Sequence, residues 1–216
     1  MAVNAFAVRS LARAAEACGA VLVHYSTDFV FDGNATTPYA ETTATAPRST
    51  YGLSKLLGEW FALDAPRAYV LRVESLFGAL PHWSGRRSSF DAIVESLELG
   101  REVKVFTDRV VSPSYVDDIA AATRHLVESD ADSGVYHCVN SGHATWHDVA
   151  VETARRLGVQ PRLVPITLAG VKLKADRPVY CALDNQKLAR AGFAMPAWQD
   201  AVARWLAGRA QGKVGK

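Results

Sequence analysis

The feature that most constrains the fold is an apolar run that ends in hydroxyl and carboxylate side chains. It extends from Val21 to Asp28 and reads Val-Leu-Val-His-Tyr-Ser-Thr-Asp. An unbroken apolar run of this length is typical of a parallel β-strand that is buried on both faces. Ligands of open α/β sheets bind at the C-terminal ends of the strands. Ser26, Thr27 and Asp28 are therefore predicted to lie at a ligand site.

A second segment, Tyr51-Gly-Leu-Ser-Lys55, opens a helical pattern about two dozen residues later. Residues four apart project from one face of a helix, so Tyr51 and Lys55 are expected to point the same way. An ammonium close to a phenol favours the phenolate, so Lys55 is expected to lower the pKa of Tyr51 and make it a better general acid. The Thr27 hydroxyl would hold a substrate oxygen beside the phenol. The set predicts carbonyl reduction; the alternative is a solvated helix face.

The remaining pattern alternates helices and strands without an internal repeat. Helices are predicted over Val8 to Cys18 with a stop at Gly19, Phe90 to Leu99, Leu183 to Gly192, and Trp198 to Ala207; strands are predicted over Ala68 to Val73, Val103 to Phe106, Gly134 to Val139, and Arg162 to Pro165. Ser114 with Asp117, and Thr145 with Asp148, have the spacing of helix capping boxes. The irregular stretch Glu74 to Ser89, with His82-Trp83, is expected to lead into a second lobe.

Composition excludes several classes of protein. Of 216 residues, 49% are hydrophobic and 21% charged, as in ordinary globular proteins, and 24 basic against 22 acidic residues give a net charge of only +2. Charge therefore does not favour nucleic acid as a partner. Cys18, Cys138 and Cys181 are three unclustered cysteines, typical of free thiols in a reducing compartment. No apolar run reaches the length of a membrane span and no secretory signal is visible, so a cytoplasmic location is expected.

Several motifs together carry a resemblance to a known family. They are Ser26 to Gly33 (Ser-Thr-Asp-Phe-Val-Phe-Asp-Gly), Pro38 to Glu41, Tyr51 to Glu59, Leu71-Arg72 followed by Phe77-Gly78, Ser112 to Ala120, and Arg177 to Tyr180. In this order they resemble the extended short-chain dehydrogenases and, within them, the dTDP-4-dehydrorhamnose reductase family of dTDP-rhamnose biosynthesis. The resemblance covers nearly the whole chain.

The resemblance implies a fold, a reaction and a set of site residues. The fold is α/β: the C-terminal half of a doubly wound, Rossmann-like parallel sheet over 1–78, and a smaller substrate-binding lobe over 79–216 with elements returning to the core. The reaction is reduction of a 4-keto sugar nucleotide by NADPH or NADH. The protein could form a homodimer. Thr27 would polarise the carbonyl, Tyr51 donate the proton, and Lys55 hold the nicotinamide ribose. The implied cofactor contacts are Ser26, Tyr51, Lys55 and Val73, and the implied substrate contacts are Thr27, Asp28, Phe29, Ser75 and Arg177.

Two departures from the family pattern bear on activity. No Gly-x-x-Gly-x-x-Gly loop, which binds the cofactor pyrophosphate in related folds, occurs in the sequence. The chain is therefore expected to be an N-terminally truncated relative, inactive alone, that binds NADPH or NADH no better than about millimolar. At Arg72 to Gly78, Ser75 replaces an aromatic residue of the family. The alternative is a non-catalytic protein resembling the regulatory subunit of methionine adenosyltransferase.

Three further groups of residues have both a functional and an ordinary interpretation. His137, His143 and His147 invite a metal site, but no carboxylate or thiolate is placed as a further ligand, so no metal is predicted. Asp28 either contacts the substrate or is only the polar end of a strand. The planar fork of Arg177 suits a diphosphate, and an ordinary surface ion pair is the alternative.

Overall fold

The structure, a computed structural model, describes residues 1–78, 88–129, 131–172 and 177–214 and has a mixed α/β fold. His82 and Trp83, in the stretch expected to be irregular, lie outside the described residues. A short π-helical turn, Ala2–Phe6, leads directly into the first helix. The helices are α1 (Ala7–Cys18), α2 (Thr50–Ala62), α3 (Ser89–Glu98), α4 (Val116–Glu128), α5 (Trp146–Leu157), α6 (Gln186–Arg190) and α7 (Trp198–Val214). The strands are β1 (Leu22–Thr27), β2 (Ala68–Val73), β3 (Leu76–Phe77), β4 (Glu102–Phe106), β5 (Val110–Val111), β6 (Ser114–Tyr115), β7 (Gly134–His137), β8 (Ala144–Thr145) and β9 (Arg162–Ile166).

A three-stranded parallel sheet in the order β1-β2-β7 forms the centre of the fold. The parallel arrangement confirms the predicted α/β class. Strand β2 is buried along its whole length, because strands and helices cover it on all sides. Strand β1 is only partly buried, and Tyr25 is 43% exposed. The prediction that this strand is buried on both faces was wrong, because β1 lies at the edge of the sheet within the described residues.

Helix α2 connects β1 to β2 and packs beside α1. It begins where the sequence predicted, because the Ser49 side chain accepts a hydrogen bond from the backbone N–H of Gly52 at 3.0 Å. Helix α1 ends at Gly19, whose φ of +65° is a left-handed cap that favours glycine. Val8 from α1 and Ala62 from α2 pack together in a small core cluster with Val70 of β2. Packing against α1 and β2 thus positions α2, whose first turn lies near the end of β1.

The strands outside the central sheet form smaller pairs around an aromatic core. Strands β4 and β9 are parallel, β5 and β8 are antiparallel, and β3 pairs with β6 in parallel. The largest side chains of this core are Phe77, Phe90, Trp146, Trp198 and Trp205. Strand β7 returns to the central sheet beside β2. The division into a nucleotide-binding core over 1–78 and a substrate-binding lobe over 79–216 stays a prediction.

The predicted capping boxes had different outcomes. Thr145 and Asp148 form a reciprocal capping box at the start of α5, as predicted. The box at Ser114 was wrong: the residue before α4 is Tyr115, and the Ser114 hydroxyl donates to the Ser112 carbonyl at 2.8 Å. The short strand β6 claims Ser114 for pairing with β3, which removes it from the helix end. Among the residues that the structure describes, no helix combines the length and apolar character needed to cross a membrane.

Candidate functional site

A cavity of about 400 Å³ opens at the C-terminal ends of β1 and β2. Every residue predicted for the site except Lys55 lines it, namely Ser26, Thr27, Asp28, Phe29, Tyr51, Val73, Ser75 and Arg177. Their convergence follows from the parallel register, which places Thr27 beside Val73 at one edge of the sheet. The individual roles given to these residues stay predictions.

Tyr51 lies in the first turn of α2, half-exposed at the edge of this cavity. Its ring packs edge-on against Phe29, with ring centroids 5.8 Å apart. Gly52 allows this contact, because a Cβ at that position would lie 2.2 Å from the Phe29 carbonyl oxygen. The close approach of the helix to the chain after β1 therefore requires glycine beside the tyrosine.

The acidity of Tyr51 differs from the sequence-based expectation. Burial raises the pKa of the phenol above its ordinary value, a hydrogen bond with Thr27 lowers it, and the charge of Asp28 raises it, with a net upward shift. Lys55 is not among the causes of this shift. The expectation that Lys55 lowers the pKa of Tyr51 was wrong for the chain in this state, and Thr27 is the group that acts in that direction.

Lys55 lies one turn further along α2 and is directed to the backbone of β1. Its ammonium donates a hydrogen bond to the Tyr25 carbonyl oxygen, two residues before Thr27. Burial lowers the pKa of Lys55, and Glu59 acts in the opposite direction. An ammonium has three donors, so this bond leaves the Lys55 ammonium with further donor capacity.

Thr27 is hydrogen-bonded to a buried carboxyl group. Its hydroxyl donates to Asp28 Oδ1 at 2.9 Å, and its oxygen accepts from the Phe29 backbone N–H at 3.3 Å. Thr27 and Asp28 are only 5% and 4% exposed. A carboxyl group this deeply buried is a poor surface for a sugar hydroxyl, so Asp28 faces the cavity mainly through Thr27.

A buried ion pair lies directly beneath these residues. Glu59 on α2 accepts two hydrogen bonds from Arg72 on β2, from Nε at 2.9 Å and from Nη2 at 2.7 Å. The Ser26 hydroxyl donates to the same carboxylate. Ser26 is therefore committed to Glu59, which leaves its backbone rather than its hydroxyl for the predicted cofactor contact. The pair fastens α2 to the ends of β1 and β2.

Six further residues that line the cavity were not predicted from the sequence: Glu74, Leu76, Ser88, Ser89, Arg109 and Trp146. Glu74 follows β2 and was visible only as an acidic residue inside the Arg72 to Gly78 segment. Arg109 and Trp146 come from the second half of the chain and follow no local signal. Arg109 is 7% exposed and Trp146 is 6% exposed, so both belong to the wall of the site and not to its surface.

Ser75 and Arg177 occupy unlike positions on the substrate side. Ser75 has a φ of +45°, a left-handed conformation that is uncommon for a residue other than glycine. Its place at a strained turn, beside the cavity, is typical of a residue held for function. Arg177 is exposed and also borders a second cavity of about 310 Å³ with Arg48 and Phe29.

The three histidines considered for a metal have other contacts. His137 is fully buried, its Nδ1 lies 3.0 Å from the Asp184 carbonyl oxygen, and His147 Nδ1 lies 3.8 Å from Asp148. The ring of His143 lies 6.3 Å from that of Tyr180. Over the described ranges, side chains with the spacing of a metal site are Asp28, Glu74 and Cys181. The Arg109 guanidinium, 3.9 Å from the Cys181 sulfur, makes a further cation there unfavourable, so we assign no metal to them.

Comparison with known proteins extends the picture over almost the whole chain. Residues 1–210 match the family model of the RmlD substrate binding domain. The chain is 38% identical over 184 residues to a probable dTDP-4,6-dihydroxy-2-methyloxan-3-one 4-ketoreductase of Streptomyces antibioticus, covering 84% of this chain and 61% of the relative. It is 36% identical over 201 residues to dTDP-4-dehydrorhamnose reductase of Streptomyces griseus, covering 89% and 64%.

A solved structure is similar in fold over the same extent. The dTDP-4-dehydrorhamnose reductase of Bacillus anthracis, in complex with NADP, matches with a TM-score of 0.86 and 28% identity, covering 95% of this chain and 72% of that chain. The present chain thus spans somewhat less than two thirds of the two Streptomyces relatives. Motif order, fold and family model agree, and the chain belongs to the RmlD substrate binding domain family.

Proposed function

We propose that this chain forms the proton-donating and substrate-facing side of an NAD(P)H-dependent reductase of a 4-keto sugar nucleotide. The observation that carries the proposal is that Tyr51 and Thr27 line the same cavity at the C-terminal end of β1. A phenol beside a hydroxyl, at the C-terminal end of a parallel strand, suits protonation of a carbonyl oxygen. Family membership and the names of the two Streptomyces relatives support the same class of reaction.

The proposed chemistry divides between the cofactor and the chain. Bound NADPH or NADH supplies the hydride that reduces the carbonyl carbon. Tyr51 gives its phenolic proton to the carbonyl oxygen, which becomes the hydroxyl of the product. Thr27 holds that oxygen and offsets part of the upward shift in the pKa of Tyr51 that burial causes. A general acid of this kind contributes about 10²–10⁴-fold to the rate.

The residues present fit one end of the cofactor. Lys55, whose ammonium binds the Tyr25 carbonyl two residues before Thr27, has donors left for the hydroxyls of a nicotinamide ribose. Val73 supplies an apolar wall, since it lies in register with Thr27 and lines the cavity. The glycine loop that would bind the pyrophosphate is not among the 216 residues. The fit therefore concerns only the nicotinamide end.

The substrate side suits a sugar nucleotide of the class named for the relatives. Exposed Arg177, at the mouth of the cavity, has the planar fork that binds a diphosphate through paired hydrogen bonds. Phe29 offers an aromatic face, and Ser75 leaves space where the family places an aromatic side chain. The sugar is therefore proposed to be a 4-keto sugar nucleotide that is bulkier or differently placed than the one an aromatic at position 75 would contact.

Substitution of the proposed acid tests this function. The chain is joined to the glycine-loop segment of the Streptomyces griseus relative, and NADPH oxidation is followed with a dTDP-4-keto-6-deoxy sugar. Tyr51→Phe keeps the ring and removes the proton donor, so kcat is expected to fall by about 10²–10⁴-fold with little change in cofactor affinity. Tyr25→Phe, at a tyrosine of β1 that is 43% exposed and does not line the cavity, is the matched control.

The outcomes separate the possible roles. Near-normal turnover of Tyr51→Phe would show that the acid lies elsewhere. Binding of the sugar nucleotide without any turnover of the joined protein would favour the non-catalytic alternative, since the Tyr51 and Thr27 pair would then be present without its reaction.

A further inference from the structure

Three buried acidic groups lie together behind Thr27, and the reaction described above does not use them. One oxygen of Asp28, one oxygen of Glu74 and the sulfur of Cys181 all lie within 4.8 Å of one another. Their residues are 4%, 3% and 1% exposed. They come from three distant parts of the chain, at the ends of β1 and β2 and in the segment before α6, so the fold and not a local motif assembles them.

The polar partners of this group are too few to keep both carboxyls charged. Glu74 accepts hydrogen bonds from the Ser112 backbone N–H and, at 3.4 Å, from the Ser75 hydroxyl. Asp28 Oδ1 accepts from Thr27, but the buried Oδ2 has no hydrogen-bond partner among the described residues. Two buried carboxylates so close together repel each other strongly, and a proton relieves this repulsion.

We propose that Asp28 and Glu74 hold one proton in common, and that this proton sets the direction in which the Thr27 hydroxyl donates its hydrogen. The shared proton stands on the geometry of the chain alone. Its consequence for Tyr51 rests on the proposed function.

Counting donors and acceptors at Thr27 gives the two states. Its oxygen has two acceptor positions, and the Phe29 N–H takes one of them. When Asp28 is ionised, the Thr27 hydroxyl donates its hydrogen to Asp28 and has none left for a substrate. When Asp28 carries the proton, it donates to the second acceptor position of Thr27, and the Thr27 hydrogen is free to turn to a substrate oxygen in the cavity.

The charges around the pair favour the protonated state. Burial raises the pKa of Asp28, and burial followed by the charge of Asp28 raises the pKa of Glu74 well above its ordinary value, while Arg109 lowers both. Arg109 is a single cation, with its Nε unpartnered among the described side chains, facing two carboxyls and a thiol. The titratable and charged groups that face the pair are Arg109, Cys181, Tyr51 and Tyr180.

The same proton also affects the acidity of the phenol. The negative charge of Asp28 raises the pKa of Tyr51, so a neutral Asp28 removes that effect and makes Tyr51 a better acid. Glu74 acts by keeping the proton near Asp28 and is a positioning residue. Asp28 and Glu74, at the C-terminal ends of β1 and β2, thus control the direction of the Thr27 hydroxyl.

Carbon-13 NMR titration of the side-chain carboxyls, on the 216-residue chain labelled in Asp and Glu, tests the shared proton. In the wild type, one carboxyl of the pair is expected to remain protonated well above the range near pH 4 in which ordinary carboxyls titrate. Glu74→Gln should lower the apparent pKa of Asp28, and Asp28→Asn should lower that of Glu74. Glu102→Gln, the same change at an exposed strand position, should leave both unchanged.

Thr27→Val tests the connection to the hydroxyl. The Thr27 hydrogen bond lowers the pKa of Asp28, so its removal should raise the apparent pKa of the pair. Two carboxyls that titrate independently near pH 4, or an Asp28 titration that is the same in wild type and Glu74→Gln, would overturn the shared proton. If the titration of Asp28 and Glu74 is unchanged in Thr27→Val, the shared proton does not control the Thr27 hydroxyl. Should the joined reductase show no turnover, the proposed function fails, and these titrations still decide the proton.

Discussion

The buried ion pair beneath the site allows a quantitative prediction. Glu59→Gln keeps the volume of the side chain and removes its charge. Glu59 and Arg72 are 1% and 4% exposed, and they share two hydrogen bonds of 2.9 and 2.7 Å. In the variant, the amide NH₂ faces the N–H groups of Arg72, so at least one bond is lost and the guanidinium is left buried without a counter-charge.

The expected cost follows from that uncompensated charge. Breaking a buried ion pair by removing one partner costs about 3–5 kcal/mol of unfolding free energy. This is a large part of the roughly 5–15 kcal/mol that is typical of a whole domain. At about 2–4 °C per kcal/mol for a chain of this size, the melting temperature should fall by about 6–20 °C. The Ser26 hydroxyl, which donates to the same carboxylate, also loses a charged acceptor.

Urea denaturation followed by circular dichroism measures the effect, with an exposed ion pair as control. Glu152→Gln removes a carboxylate that binds Arg155 and Arg156 on the surface of α5, and it should cost less than about 1 kcal/mol. The double change Glu59→Leu with Arg72→Met should cost less than Glu59→Gln alone, because no charge is left buried. Equal losses of unfolding free energy in Glu59→Gln and Glu152→Gln would show that burial of the ion pair does not set the cost of removing the carboxylate.

Two further predictions concern helix packing and acid stability. Gly58→Ala would stabilise an isolated helix by about 1 kcal/mol, but here its Cβ would lie 2.2 Å from the Asn4 carbonyl oxygen, so thermal denaturation should show a loss of stability. Gly208→Ala, with no atom within 4 Å, is the control and should gain stability; a gain in both would contradict the packing argument. Burial, and then Arg72, lower the pKa of His137 to about 3, so the unfolded chain binds a proton near pH 6.5 that the folded chain refuses. Stability should therefore fall by up to about 5 kcal/mol as the pH drops from 6.5 to about 3, and His137→Gln should flatten this part of a urea-denaturation series; an unchanged slope would count against it.

The helices and strands that carry the site could be predicted from the amino-acid sequence, because their signals are local. An apolar run that ends in hydroxyl side chains predicted β1, and the helical period that opens at Tyr51 predicted α2. The C-terminal end of a parallel strand and the start of the helix that follows it lie at the same edge of the sheet, so the sequence predicted that Thr27 and Tyr51 lie together. The helix stop at Gly19 and the capping box at Thr145 depend on the same short-range chemistry, and both were predicted.

The protonation and orientation of the site residues depend on the tertiary structure and could not be predicted from local sequence patterns. Whether β1 is a central or an edge strand depends on its neighbours in space, as does the burial that raises the pKa of Tyr51. Arg109 and Cys181 reach Asp28 from more than eighty residues away, and no periodicity encodes such a meeting. The direction of the Lys55 ammonium was equally hidden, since helical spacing sets the face of a side chain and not the carbonyl that binds it. Local patterns fix backbone and face, whereas protonation depends on desolvation and on distant charges, which exist only once the chain has folded.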